Sequence, residues 1–288
     1  MLFRSLLQLL KQILPSAALA AVVAAILLSI FARWRRKASG CAAVIAIGGG
    51  YMTGHVLTAG WSPLPPRSAT QWLFWFAVIG TIVATANAFV RPKATVRVIG
   101  WTIVCAIACR LILQPKFSYD WRWAEGWVRV IAITLGIVLL TWCLEIVDRG
   151  PFGRSSMFSI MTIVCAGTAI SLMLAGSLLL GQLACVLSAI LMVLFLAELA
   201  FPALFAYGVE AIPLSLLCSG LWLSGHFYAE LPIVSALLFA LAPAVALFAP
   251  VRENGSQWRA LAYRIALATA SVIVAVAIAF HSSPPLDY

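Results

Sequence analysis

The chain has 288 residues, of which 64% are hydrophobic and only 10% charged, with a mean hydropathy of +1.05. A soluble domain carries about 45–50% apolar and about 25% charged residues, so a water-exposed globular fold is excluded: too little polar surface exists to cover it. The net charge of +10 suits nucleic acid in principle, but the basic residues sit where apolar blocks end, a pattern that fits anionic lipid and a topology signal, with no nucleic-acid partner expected.

In chain order, MLFRSLLQLLKQI puts Arg4, Gln8, Lys11 and Gln12 on one helical face, with Leu6, Leu7, Leu10 and Ile13 largely opposite. Residues 1–13 therefore read as an amphipathic helix lying in the membrane interface. Ten apolar runs of the length that crosses a hydrocarbon core follow; each is expected to be a helix. They are Pro15 to Ala32, Gly40 to Gly60, Gln71 to Val90, Val96 to Leu113, Trp127 to Val147, Met157 to Leu180, Leu183 to Leu204, Ala211 to Tyr228, Ile233 to Ala249 and Leu261 to Phe280. The alternating segments of about 10 residues that a β-barrel needs are not seen. The fold class expected is thus all-α: a polytopic integral membrane helical bundle of about ten transmembrane helices over residues 15–280, one transmembrane domain with a polar tail at 281–288. The seventh and eighth runs are separated only by FPALFAYGVEAIP, whose Pro202, Gly208 and Pro213 also allow a re-entrant pair or a broken helix.

Topology follows from Lys and Arg. Loops after odd-numbered spans hold RWRRK, RPKATVR, DRGPFGR and VRENGSQWR; with Arg264 they carry twelve basic residues against seven on the other side. The positive-inside rule then puts both termini outside, in a plasma or inner membrane, with anionic lipid at the basic inner loops. The sequence ASGC at Ala38 to Cys41 has the look of a lipoprotein cleavage box, but RWRRK stands between it and the apolar run, whereas a signal peptide's charges precede its apolar region, so the first span is expected to be retained. The seven cysteines lie inside or at the edges of spans and form neither a disulfide framework nor a zinc site; Cys105 and Cys109 read as small core residues. In the outer loop PKFSYDWRWAEGWVR, the aromatic residues Phe117, Tyr119, Trp121, Trp123 and Trp127 read as a headgroup-level belt rather than a stacking site.

Polar residues inside the spans carry the functional expectations, because each is costly in lipid and usually faces a bundle interior. Arg110 and Glu145 lie near span ends and can reach the interface. Thr81, Thr85 and Asn87 form a polar side of the third span, and Gly167, Ser171 and Ala175 a small-residue stripe; both read as helix packing. Glu198, four residues before Pro202, is a candidate ion-coupling carboxylate beside a helix break.

Two of the three histidines sit in related surroundings: GGGYMTGH ends at His55 and GLWLSGH at His226, sharing the pattern G-x-[YW]-x-[ST]-G-H. Each imidazole has an aromatic residue one turn before it, Tyr51 or Trp222, on the same helix face. Matching glycine-containing helices in two halves of a transporter point to a binding site, here through a weak duplication of helices 1–4 and 7–10. The candidate polar site comprises His55, His226, Glu230, Tyr51, Trp222, Gly50 and Gly54. Glu230, four residues after His226, would share its face and complete a two-histidine, one-carboxylate metal set; alternatively Gly50 and Gly54 form a GxxxG packing face. With no nucleophile, base and oxyanion set assembled, no cofactor is expected. The expected function is a noncatalytic membrane component, either scaffold or subunit of a larger complex with other membrane proteins. The alternative is a small permease or flippase with a polar site near the outer leaflet, and third stands an intramembrane metal-dependent enzyme.

Overall fold

A computed structural model describes residues 2–34, 39–149, 153–201, 209–249 and 257–282. The described residues form helices and connecting turns with no strand. The helices are α1 (Leu2–Trp34), α2 (Ser39–Ala59), α3 (Ala69–Val90), α4 (Ala94–Ile112), α5 (Gln114–Tyr119), α6 (Trp123–Arg149), α7 (Gly153–Leu174), α8 (Leu178–Ala200), α9 (Ala211–Tyr228), α10 (Ile233–Leu247) and α11 (Gln257–Ser282). Each of the ten apolar runs coincides, over most of its described residues, with a helix, and α5 is an additional short helix in the aromatic loop. Seven of the described helices are long and apolar enough to cross a membrane, as a helical membrane bundle requires. RWRRK beyond Trp34, Gly150 to Phe152 of DRGPFGR, residues 202–208 and VRENGS lie outside the described residues, as do the side chains of 1–13.

Two boundaries differ from expectation. The sixth and seventh runs were expected to divide between Leu180 and Leu183, yet α7 ends at Leu174 and α8 begins at Leu178. Gly176 takes a left-handed φ of 84°, which favours glycine at a helix terminus. The Ser177 hydroxyl then caps α8 by accepting from the Leu180 N–H at 3.4 Å. The turn is thus written in AGS, inside an apolar run whose hydrophobicity conceals it. Secondly, α11 carries on to Ser282, so the exposed His281 occupies its last turn rather than a tail.

Helix α7 lies at the centre, burying Met157, Phe158, Met161, Val164, Leu172 and others, and pairs along its length with α8. On one flank α1 and α2 close against α8; on the other α10 and α11 close against α7; α3 packs on α2 and α9, and α4 on α6. Small residues allow the close approaches. A Cβ on Gly50 would stand 3.0 Å from Ile190 of α8 and 3.2 Å from the Ala20 carbonyl oxygen of α1. One on Gly54 would meet Val186 of α8 and stand 3.2 Å from Ala20 Cβ. Gly167 likewise faces Val272 of α11 and Phe239 of α10, the packing role expected of its stripe. The perimeter helices are apolar on their outer faces too: Ile99, Ile103 and Ile107 of α4, and Ile131, Leu135 and Leu139 of α6, are all exposed, the arrangement of a bundle whose solvent is lipid.

Helix directions fix what lies at each end. Gly48 of α2 approaches Thr81 of α3, while His55 meets Phe74, so α2 and α3 are antiparallel. Gly80 approaches Pro213 of α9, and Gly220 approaches Leu73 and Phe76, so α9 is antiparallel to α3 as well. Helices α2 and α9 therefore run the same way on two sides of α3. The two fourfold sets compared by the duplication do not pack alike, however: α1 lies along α2, whereas α8 makes only a narrow contact with α9 and pairs with α7 instead.

Candidate functional site

The histidines are at the same end of the bundle, but each is engaged with its own neighbourhood. His55 is fully buried near the C-terminal end of α2, and its Nε2 donates to the Thr70 carbonyl oxygen at 3.0 Å, in the first turn of α3. A carbonyl only accepts, which sets the proton on Nε2 in this bond. The ring packs edge-on to Phe74 at 5.5 Å and lies 6.4 Å from the Tyr51 ring. Around it the α2–α3 connection is tied down further: Ser62 Oγ donates to the Gln71 carbonyl at 2.9 Å, and the Arg67 N–H to Gln71 Oε1 at 2.6 Å. His55 thus pins the end of α2 to the start of α3.

His226 does the corresponding task between α9 and α10. Its Nδ1 donates to the Leu231 carbonyl oxygen at 2.9 Å, and its ring packs against Phe227. Glu230 does not share its face. Helix α9 ends at Tyr228, and Glu230 sits exposed in the following turn at a φ of 55°. Pro232 supplies the physical reason, since a proline disfavours helical backbone in the residue before it and stops the helix from continuing. Among the described residues no three His, Cys, Asp or Glu side chains are grouped to hold a metal ion, so the expected set of His55, His226 and Glu230 does not form one.

The remaining candidate residues divide in the same way. Gly50 and Gly54 face α8 and α1 in close packing rather than a cavity. Trp222 is buried and its Nε1 donates to Thr168 Oγ1 of α7 at 3.0 Å. Tyr51 is fully buried, and its hydroxyl has no hydrogen-bonding partner among the described residues. Glu198 lies half-buried two residues before the end of α8, and with α8 starting at Leu178 it is about 30 Å along the helix, farther toward the end than the sequence suggested. Thr81 packs against Gly48 of α2, as its packing role requires, and its hydroxyl donates back to the Ala77 carbonyl of its own helix at 2.7 Å.

Trp222 and His226 do line a cleft of about 310 Å³ between α6, α9 and α10. Its other walls are Ile133, Gly136, Ile137, Leu140, Ile233, Ala236, Leu237 and similar residues, several of them on the outer surface. Tyr51 and His55 have no part in it.

The aromatic loop folds onto the same end. Phe117 stacks edge-on with Trp121 and Trp127 at 5.8 and 5.9 Å, and Trp121 with Phe227 at 5.4 Å. Arg110 lies over Phe117 at 4.1 Å, and Arg129 over Trp121 at 4.5 Å. Phe117, Trp121 and Trp127 are thus engaged with one another, with Phe227 and with two cations of the chain.

At the opposite end is a constellation that the sequence did not single out. Arg97 of α4 donates from Nη2 to Glu145 Oε2 of α6 at 2.8 Å, and Arg149 approaches the same oxygen at 3.2 Å. A cleft of about 440 Å³ between α4 and α6 lies beside them, floored by Trp101, Thr141 and Ile212. The floor is satisfied internally: Trp101 Nε1 donates to Thr141 Oγ1 at 2.9 Å, and Thr141 Oγ1 stands 2.8 Å from Ser215 Oγ of α9. Arg97 also borders an adjoining cleft of about 330 Å³ with Asn87 and Arg91. Nearer the core, Arg264 is buried with its Nη1 3.4 Å from Ser156 Oγ, and Glu210 at the start of α9 is fully buried. Their positions inside or beside apolar runs were the available signal, but no local pattern tells a buried charge from one that reaches the interface.

The chain matches no family model, no curated protein and no solved structure.

Proposed function

We propose that the chain is a noncatalytic multi-pass membrane component, a scaffold or subunit of a larger membrane assembly. The observation supporting this is that His55 and His226 each close a helix–helix connection through a backbone carbonyl instead of meeting in one polar site. An imidazole used in this way supplies hydrogen bonding for the bundle, which supports a structural role. In this reading α1–α4 and α6–α11 make ten spans of a plasma or inner membrane, with the Arg97 end inside and both termini outside, as the basic loops favour. The second reading, a permease or flippase, draws on the cleft that contains His226 and Trp222.

Reconstitution separates the two. Liposomes holding the purified chain are expected to scramble fluorescent lipid no faster than empty ones, while chain extracted in mild detergent from its own membrane migrates as a larger assembly. Scrambling or solute counterflow that His226→Ala abolishes, by a chain recovered alone, would establish the permease reading instead.

A further inference from the structure

Resting on the chain being membrane-embedded, we propose that the cleft between α4 and α6 is a binding site for one anionic glycerophospholipid. Its headgroup phosphate sits between Arg97 and Arg149, and one acyl chain runs down the furrow formed by Val98, Leu139 and Trp142.

Charge is the first argument. At the mouth two guanidiniums share a single carboxylate, Glu145, which meets both through the same oxygen, Oε2. Among these three groups one positive charge is left over. Glu145 is mostly buried at 12% exposure, whereas Arg149 is 70% exposed and Arg97 28%. The carboxylate therefore holds the guanidiniums from the protein side, with Arg149 exposed and Arg97 partly so. Arginine has five N–H donors in a fixed fork that suits phosphate oxygens, and two hydrogen bonds to one carboxylate oxygen leave most of them for a ligand.

The walls supply the second argument. Below the arginines the cleft is apolar and open sideways: Val98 is 49% exposed, Leu139 55% and Trp142 59%. The polar groups of its floor are already bonded to one another, through Trp101, Thr141 and Ser215. Such a floor offers nothing to a polar solute and an unbroken surface to an alkyl chain. A soluble phosphate would meet the arginines but leave the furrow bare, and a zwitterionic lipid would fill the furrow while its ammonium offset the charge. An anionic lipid matches both parts.

Native mass spectrometry of the full chain in a mild, non-ionic detergent, titrated with phosphatidylglycerol or phosphatidylcholine, tests the site. One phosphatidylglycerol should bind at least about fivefold tighter than phosphatidylcholine, the worth of one basic residue against an anionic headgroup. Arg149→Ala, which leaves the Arg97–Glu145 pair intact, should reduce that preference about fivefold. Arg97→Ala combined with Glu145→Ala, which keeps the net charge of the mouth but removes one of the two forks that clasp the phosphate, should lower it as well. Glu145→Gln should tighten phosphatidylglycerol, because the competing anion is gone; a pair with only a structural role predicts no gain. Glycerol 3-phosphate should not displace the lipid at equal concentration. Equal retention of the two lipids, a preference that survives both arginine variants, or displacement by glycerol 3-phosphate would overturn the site. Carbonate extraction of the same preparations separates this failure from that of the broader reading: chain that stays in the membrane but shows no lipid preference contradicts the cleft alone.

Discussion

Gly80→Leu is expected to dismantle the packing of α3 against α9 and to leave little folded chain in mild detergent. The reason is the nature of the neighbour. A Cβ on Gly80 would lie 3.0 Å from the Cα of Pro213, a backbone atom of a helix buried over most of its length. Flexible side chains can turn away from an intruding methyl group, but a helix backbone can only translate. Translating α9 would disturb the Trp222–Thr168 and Thr141–Ser215 bonds that tie it to α7 and α6. Overpacking a tight core costs about 1–3 kcal/mol and sometimes more, and the lack of give puts this variant at the upper end or beyond, against a total stability of about 5–15 kcal/mol. Gly100→Leu is the control, since nothing stands within 4 Å of its Cβ position on α4. The melting midpoint by intrinsic fluorescence should fall steeply for the first and stay near wild type for the second; equal midpoints would contradict the crossing.

The second large effect belongs to Tyr51, where two substitutions are expected to act in opposite directions. Tyr51→Ala removes a fully buried ring and should cost about 3–5 kcal/mol, the range for deleting a core aromatic side chain. Tyr51→Phe keeps the ring and removes only the hydroxyl, which is buried without a partner among the described residues. Because an unsatisfied buried polar group costs about 1–3 kcal/mol, its removal should leave the midpoint unchanged or raise it by the equivalent of about 1 kcal/mol. Thermal unfolding of both variants checks the pair. A Phe variant destabilised by more than about 1 kcal/mol would mean that the hydroxyl has a hydrogen-bonding role.

Much of the fold was legible in the sequence because lipid demands length and apolarity of every span. The bounds of Ala211 to Tyr228 were read correctly because breakers flank the run: Pro213 lies within its first turn and Pro232 just beyond its end. The α7–α8 boundary was misplaced for the converse reason, its Gly176–Ser177 turn being hidden between strongly apolar neighbours. Which helix lies beside which was much less accessible. Helices that are apolar all round, such as α4 and α6, do not announce which face turns inward. The Arg97–Glu145 pair joins residues 48 positions apart, each of which by itself reads as a charge at a span end. The second and eighth spans, both even-numbered, do run in the same direction as α2 and α9 and carry their histidines to the same end of the bundle. The histidine echo did not reveal that α3 packs on both of them, nor that Pro232 ends α9 before Glu230 can join His226.

The independence of the two histidines is the point on which the noncatalytic reading stands or falls. A double-mutant cycle measures it: wild type, His55→Ala, His226→Ala and the double variant, unfolded in mild detergent with and without added zinc. If each imidazole only closes its own connection, the two destabilisations add to within about 0.3–0.5 kcal/mol, as they do for sites without shared partners, and zinc shifts none of the four midpoints. A coupling above about 1 kcal/mol, or a zinc-dependent rise in the wild type that either single variant abolishes, would show that the histidines share one site and would contradict the account.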